Sequence, residues 1–165
     1  MFQIRDARID DLPGVLAIYN DVIATSTAVY RDEPATLDDR REWLDARHSQ
    51  QYPVLVCVDE ANAILGFASF GDFRPWPGYR FTVEHTVHVR ADCRGQGVGS
   101  ALMRRLLDRA TALGKHVMIA GVDAENTASL RFHERLGFER VAHFREVGFK
   151  FGRWLDLVFL QRILR

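Results

Sequence analysis

The chain alternates apolar runs with polar punctuation, and the spacing of the apolar positions predicts its elements. Residues 2–8 read as a strand with Phe2, Ile4 and Ala7 turned inward. Asp10-Asp11-Leu12-Pro13 opens a helix, with an aspartate as N-cap and proline in the first turn. Leu12, Val15, Leu16, Tyr19 and Val22 follow at helical spacing. Residues 25–35 are polar and contain a proline, so they form a loop. Thr36 caps a second helix with acids in its first turn, ending near His48. Residues 54–58 and 64–70 are strands joined by a turn at 60–63. Residues 71–79 hold two prolines and two glycines, which break regular structure. Along 81–89, Phe81, Val83, His85, Val87 and Val89 share one face of a strand, and Thr82, Glu84, Thr86 and His88 the other. A helix then turns Leu102, Leu106, Leu107, Ala110 and Leu113 inward and closes at Gly114. The unbroken apolar run 116–122 predicts a buried strand in a parallel position. Asn126 caps a helix carrying Ala128, Leu130, Phe132 and Leu136, and strands at 139–147 and 153–163 follow a bend at 150–152. This order is mixed α/β around one sheet, with a strand–helix–strand core.

At 165 residues the chain is expected to be one domain, residues 1–165, large enough for a real core. Lysine and arginine together number 22, as do aspartate and glutamate, so the formal net charge is zero. That argues against a dedicated nucleic-acid or membrane-surface protein. Cys57 and Cys93 make no disulfide framework or metal pattern and read as reduced thiols. The start, Met1-Phe2-Gln3-Ile4-Arg5-Asp6, lacks the apolar run of a signal peptide, and no stretch reaches membrane-spanning length. A cytoplasmic location is the expectation.

Chemistry concentrates at Arg94-Gly95-Gln96-Gly97-Val98-Gly99-Ser100, between a strand and a helix. Glycines at alternate positions allow tight turning and close approach of a ligand. The N–H groups of the loop and of the helix start then face an anion, most simply a phosphate. A P-loop is excluded because no lysine follows Gly99, and the dinucleotide fingerprint because the spacing is G-x-G-x-G.

The run Arg94-x-x-Gly97-x-Gly99 resembles the pyrophosphate loop of the GNAT superfamily of N-acetyltransferases, which bind acetyl-CoA. Asn126-x-x-Ser129-x-x-Phe132-His133-Glu134-Arg135-Leu136-Gly137-Phe138 resembles that family's second signature, and the order of elements matches along nearly the whole chain. The segments 71–75, 82–87, 114–120 and 150–156 are similar to the phosphinothricin and methionine sulfoximine acetyltransferase branch. That resemblance implies a mostly antiparallel sheet with splayed middle strands, acetyl-CoA as co-substrate, a small amino acid as acceptor and a homodimer. It also implies that Val87, His88 and Val89 hold the cofactor through their main chain. Arg94 and the loop 95–100 would hold its pyrophosphate, and Asn126 the pantetheine arm.

Glu84 is the expected base: it lies mid-strand on the polar face, where partial desolvation strengthens a carboxylate as proton acceptor. A main-chain N–H near Val87–Val89 would meet the thioester oxygen. Arg74 offers a forked donor for an α-carboxylate, Phe73, Trp76 and Tyr79 are expected to wall the acceptor's side chain, and Pro75 and Thr86 to border the acceptor with them. His85 faces away from Glu84 and reads as a packed, hydrogen-bonded histidine that also borders the acceptor region. His133 stands where many relatives have a tyrosine acid, so the acid stays unassigned. Strand alternation separates His85 from Glu84 and His88, which rejects a metal cluster. Two further readings stay open: the same chemistry on a polyamine or peptide N-terminus, and a non-catalytic acyl-CoA sensor.

Overall fold

A computed structural model describes residues 1–165. In chain order the elements are β1 (Phe2–Asp6), α1 (Leu12–Thr25), α2 (Leu37–Ser49), β2 (Val54–Asp59), β3 (Ile64–Asp72), β4 (Thr82–Val89), α3 (Val98–Ala112), β5 (Val117–Asp123), α4 (Thr127–Arg135), β6 (Glu139–Lys150) and β7 (Arg153–Ile163). The seven strands form one sheet in the order β1-β2-β3-β4-β5-β7-β6. Every neighbouring pair is antiparallel except β4 and β5.

β2 and β3 read as continuous apolar runs because both their faces are covered. On one face α3 and α4 bury Leu102, Met103, Leu106, Ala110 and Leu130 against Val83, Met118, Ala120 and Leu160. On the other, α1 and α2 bury Leu12, Val15, Ile18 and Leu44 against Val54, Val56 and Phe67. Burial of such side chains contributes about 1.5–3 kcal/mol each. Thr36 caps α2 as expected, accepting from the Asp39 N–H while Asp39 accepts from the Thr36 N–H.

Several expectations need correction. Phe2 is exposed because β1 is an edge strand paired only with β2. Asp11 does not cap α1; its carboxylate accepts two bonds from Arg5 and one from the Arg8 N–H. On α1 Ile18 joins Leu12, Val15, Val22 and Ile23 in the core, and Leu16, expected there, is only half-buried. Leu113 is exposed, since α3 ends at Ala112 and the chain turns out through Gly114. β3 runs on through Gly71 and Asp72, which pair with Glu84 and Val83 before the prolines begin. β6 reaches Lys150, accommodating an irregularity between Phe144 and Gly148 where Glu146 adopts a positive φ of 55°.

Candidate active site

The parallel contact between β4 and β5 spans only three register pairs, Thr82↔Val117, Val83↔Met118 and Glu84↔Ile119. Beyond them β4 stays paired to β3 as far as Val89, and β5 to β7 as far as Asp123. The two strands therefore part just after Glu84, and the β5-facing edge of β4 has no ladder partner. Main-chain donors and acceptors exposed at such a parting invite an extended ligand. Two connected hollows occupy it. One, of about 270 Å³, is lined by Tyr19, Val29, His85–His88, Gly121–Asp123, Asn126, Ser129 and His133. The other, of about 570 Å³, runs from Val87, His88 and Val89 along Arg94, Gly95, Gly97, Gly99 and Ser100 to Asn126, Phe132 and Arg135. Two larger surface grooves, near Asp10 and near Arg165, do not touch the parting.

The glycine loop closes the far end of this channel. Gly95 and Gly97 adopt φ of +75° and +84°, a region that disfavours side chains. Gly97 is the residue before α3 and supplies no side-chain cap. Among the first-turn N–H groups of α3, those of Val98, Gly99 and Ser100 find no acceptor in the chain. Unsatisfied donors at the positive end of a 15-residue helix make an anion site. Arg94 lies beside it, exposed. The loop and the bare strand edge fit an extended ligand with a diphosphate at one end.

Glu84 stands where the strands begin to part. It is half-buried, and burial raises its pKa against an opposing pull from Arg74. No ion pair in the chain includes it. Its Oε1 leans toward β5, where a Cβ on Gly121 would lie 3.2 Å away. A partly desolvated carboxylate with no internal partner suits proton acceptance.

The histidines divide as the strand alternation predicts. His85 points toward α4, and its Nε2 lies 3.1 Å from Nε2 of His133. Nδ1 of His133 is 2.7 Å from the Ser129 carbonyl, which only accepts, so His133 carries its proton on Nδ1. Nε2 of His133 therefore accepts from Nε2–H of His85, and Nδ1 of His85 is left a buried acceptor without a partner. Burial lowers both pKa values, His85 most strongly, which keeps the pair neutral. His88 turns to the α1 side between Tyr19 and Phe67, 6.0 and 5.4 Å between ring centres, with its pKa lowered to about 4 by burial. Its main chain faces the channel.

Asn126 caps α4 through the Ser129 N–H, 3.1 Å, and lines both hollows. Phe73 reaches across to β7, its ring 6.0 Å from Phe159. Arg74 lies over the Phe73 ring at 4.9 Å, exposed, and Pro75 and Trp76 stand in solvent. Thr86 borders the smaller hollow. No three side chains of metal-ligating type converge anywhere in the fold.

Three contributors had no signal in the sequence. Tyr19 was expected only as a core residue, yet lines the smaller hollow. Thr27 donates to the buried Asp123 and ties the 25–35 loop to the end of β5. Lys150, in the expected bend, is 1% exposed and donates to the carbonyls of Ile23, Ser26 and Val29 at 2.6, 2.8 and 2.8 Å. No pattern of spacing announces any of these contacts, which cross more than 90 residues of chain.

A sheet opened beside β4, a bare helix start behind a glycine loop and an unpaired carboxylate are features that suit acyl transfer from an extended ligand. In keeping with this, residues 15–138 match the family described as Acetyltransferase (GNAT) family. The chain belongs to that family and is an acetyl-CoA-dependent N-acetyltransferase. It is 52% identical over 158 residues to the L-methionine sulfoximine/L-methionine sulfone acetyltransferase of Pseudomonas paraeruginosa, covering 96% of this chain and 92% of the relative. The crystal structure of an N-acetyltransferase from Staphylococcus aureus superposes with a TM-score of 0.97 at 42% identity, over 100% of this chain and 99% of that one. A GNAT superfamily phosphinothricin acetyltransferase from Sinorhizobium meliloti, solved in complex with acetyl-CoA, superposes with a TM-score of 0.95 at 36% identity, over 99% and 88%.

Proposed function

We propose that this enzyme acetylates the α-amine of a small amino acid such as methionine sulfoximine, methionine sulfone or phosphinothricin, and that Glu84 is its base. The observation that carries the reading is Glu84 itself, unpaired and half-buried where β4 and β5 part. The acceptor ammonium gives a proton to Glu84, directly or through water. The freed nitrogen bonds to the acetyl carbon, the carbon–sulfur bond breaks, and the surplus proton on the new amide nitrogen passes, directly or through water, to the leaving thiolate. Acetyl-CoA supplies the activated thioester. The main chain of Val87, His88 and Val89 pairs with the ligand's amides and meets the thioester oxygen. Arg94, Gly95, Gln96, Gly97, Val98, Gly99 and Ser100 hold the diphosphate, and Asn126 the pantetheine arm. Phe73, Arg74, Pro75, Trp76, His85 and Thr86 border the acceptor, with Arg74 as a donor for its oxygens. His133 is not the acid in this scheme, because its Nδ1 proton is held by the Ser129 carbonyl and its Nε2 accepts from His85.

The reading extends to a cytoplasmic homodimer of one-domain subunits. Supporting the dimer, β6 and β7 expose Val141, Phe144, Val147, Phe149 and Trp154 on one ribbon. No helix is long and apolar enough to cross a membrane.

Thiol release from acetyl-CoA, screened over methionine sulfoximine, methionine sulfone, phosphinothricin, glutamate and a polyamine, tests the reading. Saturable turnover on the sulfoximine or sulfone is expected. Glu84→Gln should lower kcat/KM roughly 100-fold or more, with the KM for acetyl-CoA little changed. Turnover on the polyamine alone would sink the amino-acid reading. A Glu84→Gln enzyme as active as wild type would remove Glu84 as base.

A further inference from the structure

α2 turns two arginines toward the sheet, and their surroundings differ. The Arg40 guanidinium lies 4.1 Å from the Tyr19 ring centre and 4.9 Å from that of Trp43, so aromatic faces compensate its charge. Arg47 has no aromatic beneath it. Its Nε is buried without a partner, and its side chain makes only a 3.5 Å contact to Gln50 Oε1. Asp72 is close enough to influence it, but the Asp72 oxygens already accept from Tyr52 at 2.5 Å and Gln50 at 3.0 Å. A half-buried guanidinium that feels the Asp72 charge but makes no direct bond to it keeps its forked donors free for an anion from outside.

The position of Arg47 says which anion. Its guanidinium rests on Gly71: a Cβ there would stand 2.7–2.8 Å from Nη2, Cζ and Nη1. Only glycine permits this seat. Gly71 is the cross-strand partner of Glu84, and directly opposed residues turn their side chains to the same face. Arg47 thus flanks the base from the β3 side, while Glu84 leans toward Gly121 on the β5 side. A cation resting on β3 from α2 and a carboxylate on the adjacent β4 suit a ligand whose own carboxylate and ammonium sit on one carbon.

We propose that Arg47 binds the α-carboxylate of the acceptor and so restricts the enzyme to α-amino acids. This rests on the reading of Glu84 as base in an amino-acid N-acetyltransferase. Arg74, exposed on the 73–81 loop, is then left for the oxygens at the far end of the acceptor side chain.

The test compares methionine sulfone with its carboxamide, which keeps the amine and loses the negative charge. Wild type should prefer the acid, and Arg47→Gln should lower the acid-to-carboxamide ratio of kcat/KM about 30-fold, the scale of one charge-assisted forked contact. Arg47→Lys, which keeps charge without the fork, should retain part of the preference. Thermal unfolding of both variants checks that they fold. If Arg47→Gln lowers acid and carboxamide together, the residue is structural and the inference is overturned while the acetyltransferase reading stands. If Arg74→Gln instead erases the preference, or wild type shows none, Arg47 is not the carboxylate site. Wild type inactive on both compounds but active on a polyamine would overturn the amino-acid reading and this inference with it.

Discussion

Replacing Lys150 by methionine should loosen the channel from a distance. The Nζ donates to three carbonyls, of Ile23, Ser26 and Val29, and the residue is 1% exposed. Methionine fills similar space but donates nothing. The Ile23 bond is fully buried, so its loss leaves a carbonyl unsatisfied, about 2 kcal/mol. The other two are partly buried, and their carbonyls can turn to water, about 1 kcal/mol between them. The sum, about 3 kcal/mol, corresponds to roughly 6–12 °C in Tm for a chain of this size. The consequence for function follows from where those carbonyls lie: Ser26 lines the larger hollow and Val29 the smaller. The KM for acetyl-CoA should therefore rise several-fold while the free enzyme remains folded at 25 °C. Circular dichroism melting and thiol-release kinetics read both effects. A Tm within about 2 °C of wild type, corresponding to less than 1 kcal/mol, would refute the account of Lys150 as the tether.

Gly97→Ala should raise the KM for acetyl-CoA at least tenfold and lower stability by about 1 kcal/mol, because alanine is strained at φ +84° and its methyl stands at the anion site; isothermal titration with CoA reads the first and thermal melts the second. His88 gives a pH prediction with a definite sign. Its folded pKa is about 4, below the unfolded value, so acid favours the unfolded chain, which binds the proton first. Stability from this group is full above about pH 6.5 and falls by about 1.4 kcal/mol per pH unit down to about pH 4. His88→Phe, packed on the same Tyr19 and Phe67 rings, should lose Tm less steeply between pH 7 and 5.

How much of this was legible follows from the range of the interactions. Alternation along β4 correctly set Val83 and His85 on one face and Glu84 on the other, because a strand's period is local. The Gly95–Gly99 loop and the Asn126 cap were legible for the same reason: each works within a few residues. The pairing of His85 with His133 joins two elements and left no trace in either segment. Arg47 left no signal in the sequence, since nothing local reveals that Gly71 lies bare beneath it. Phe2 misled because apolar character does not say whether a strand lies at an edge.

The three-residue join between β4 and β5 also divides the molecule mechanically. On one side stand β1 to β4, on the other β5 to β7; beyond the short ladder they are joined by side chains: the shared core beneath α3, the His85–His133 bond, Thr27 on Asp123, Phe73 on Phe159, and Lys150 on the carbonyls of Ile23, Ser26 and Val29. A ligand lying in the gap belongs to neither half and acts as a splint between them. Occupancy should therefore stiffen the whole sheet, slowing amide exchange in β5 and β7 as well as in the strand it touches.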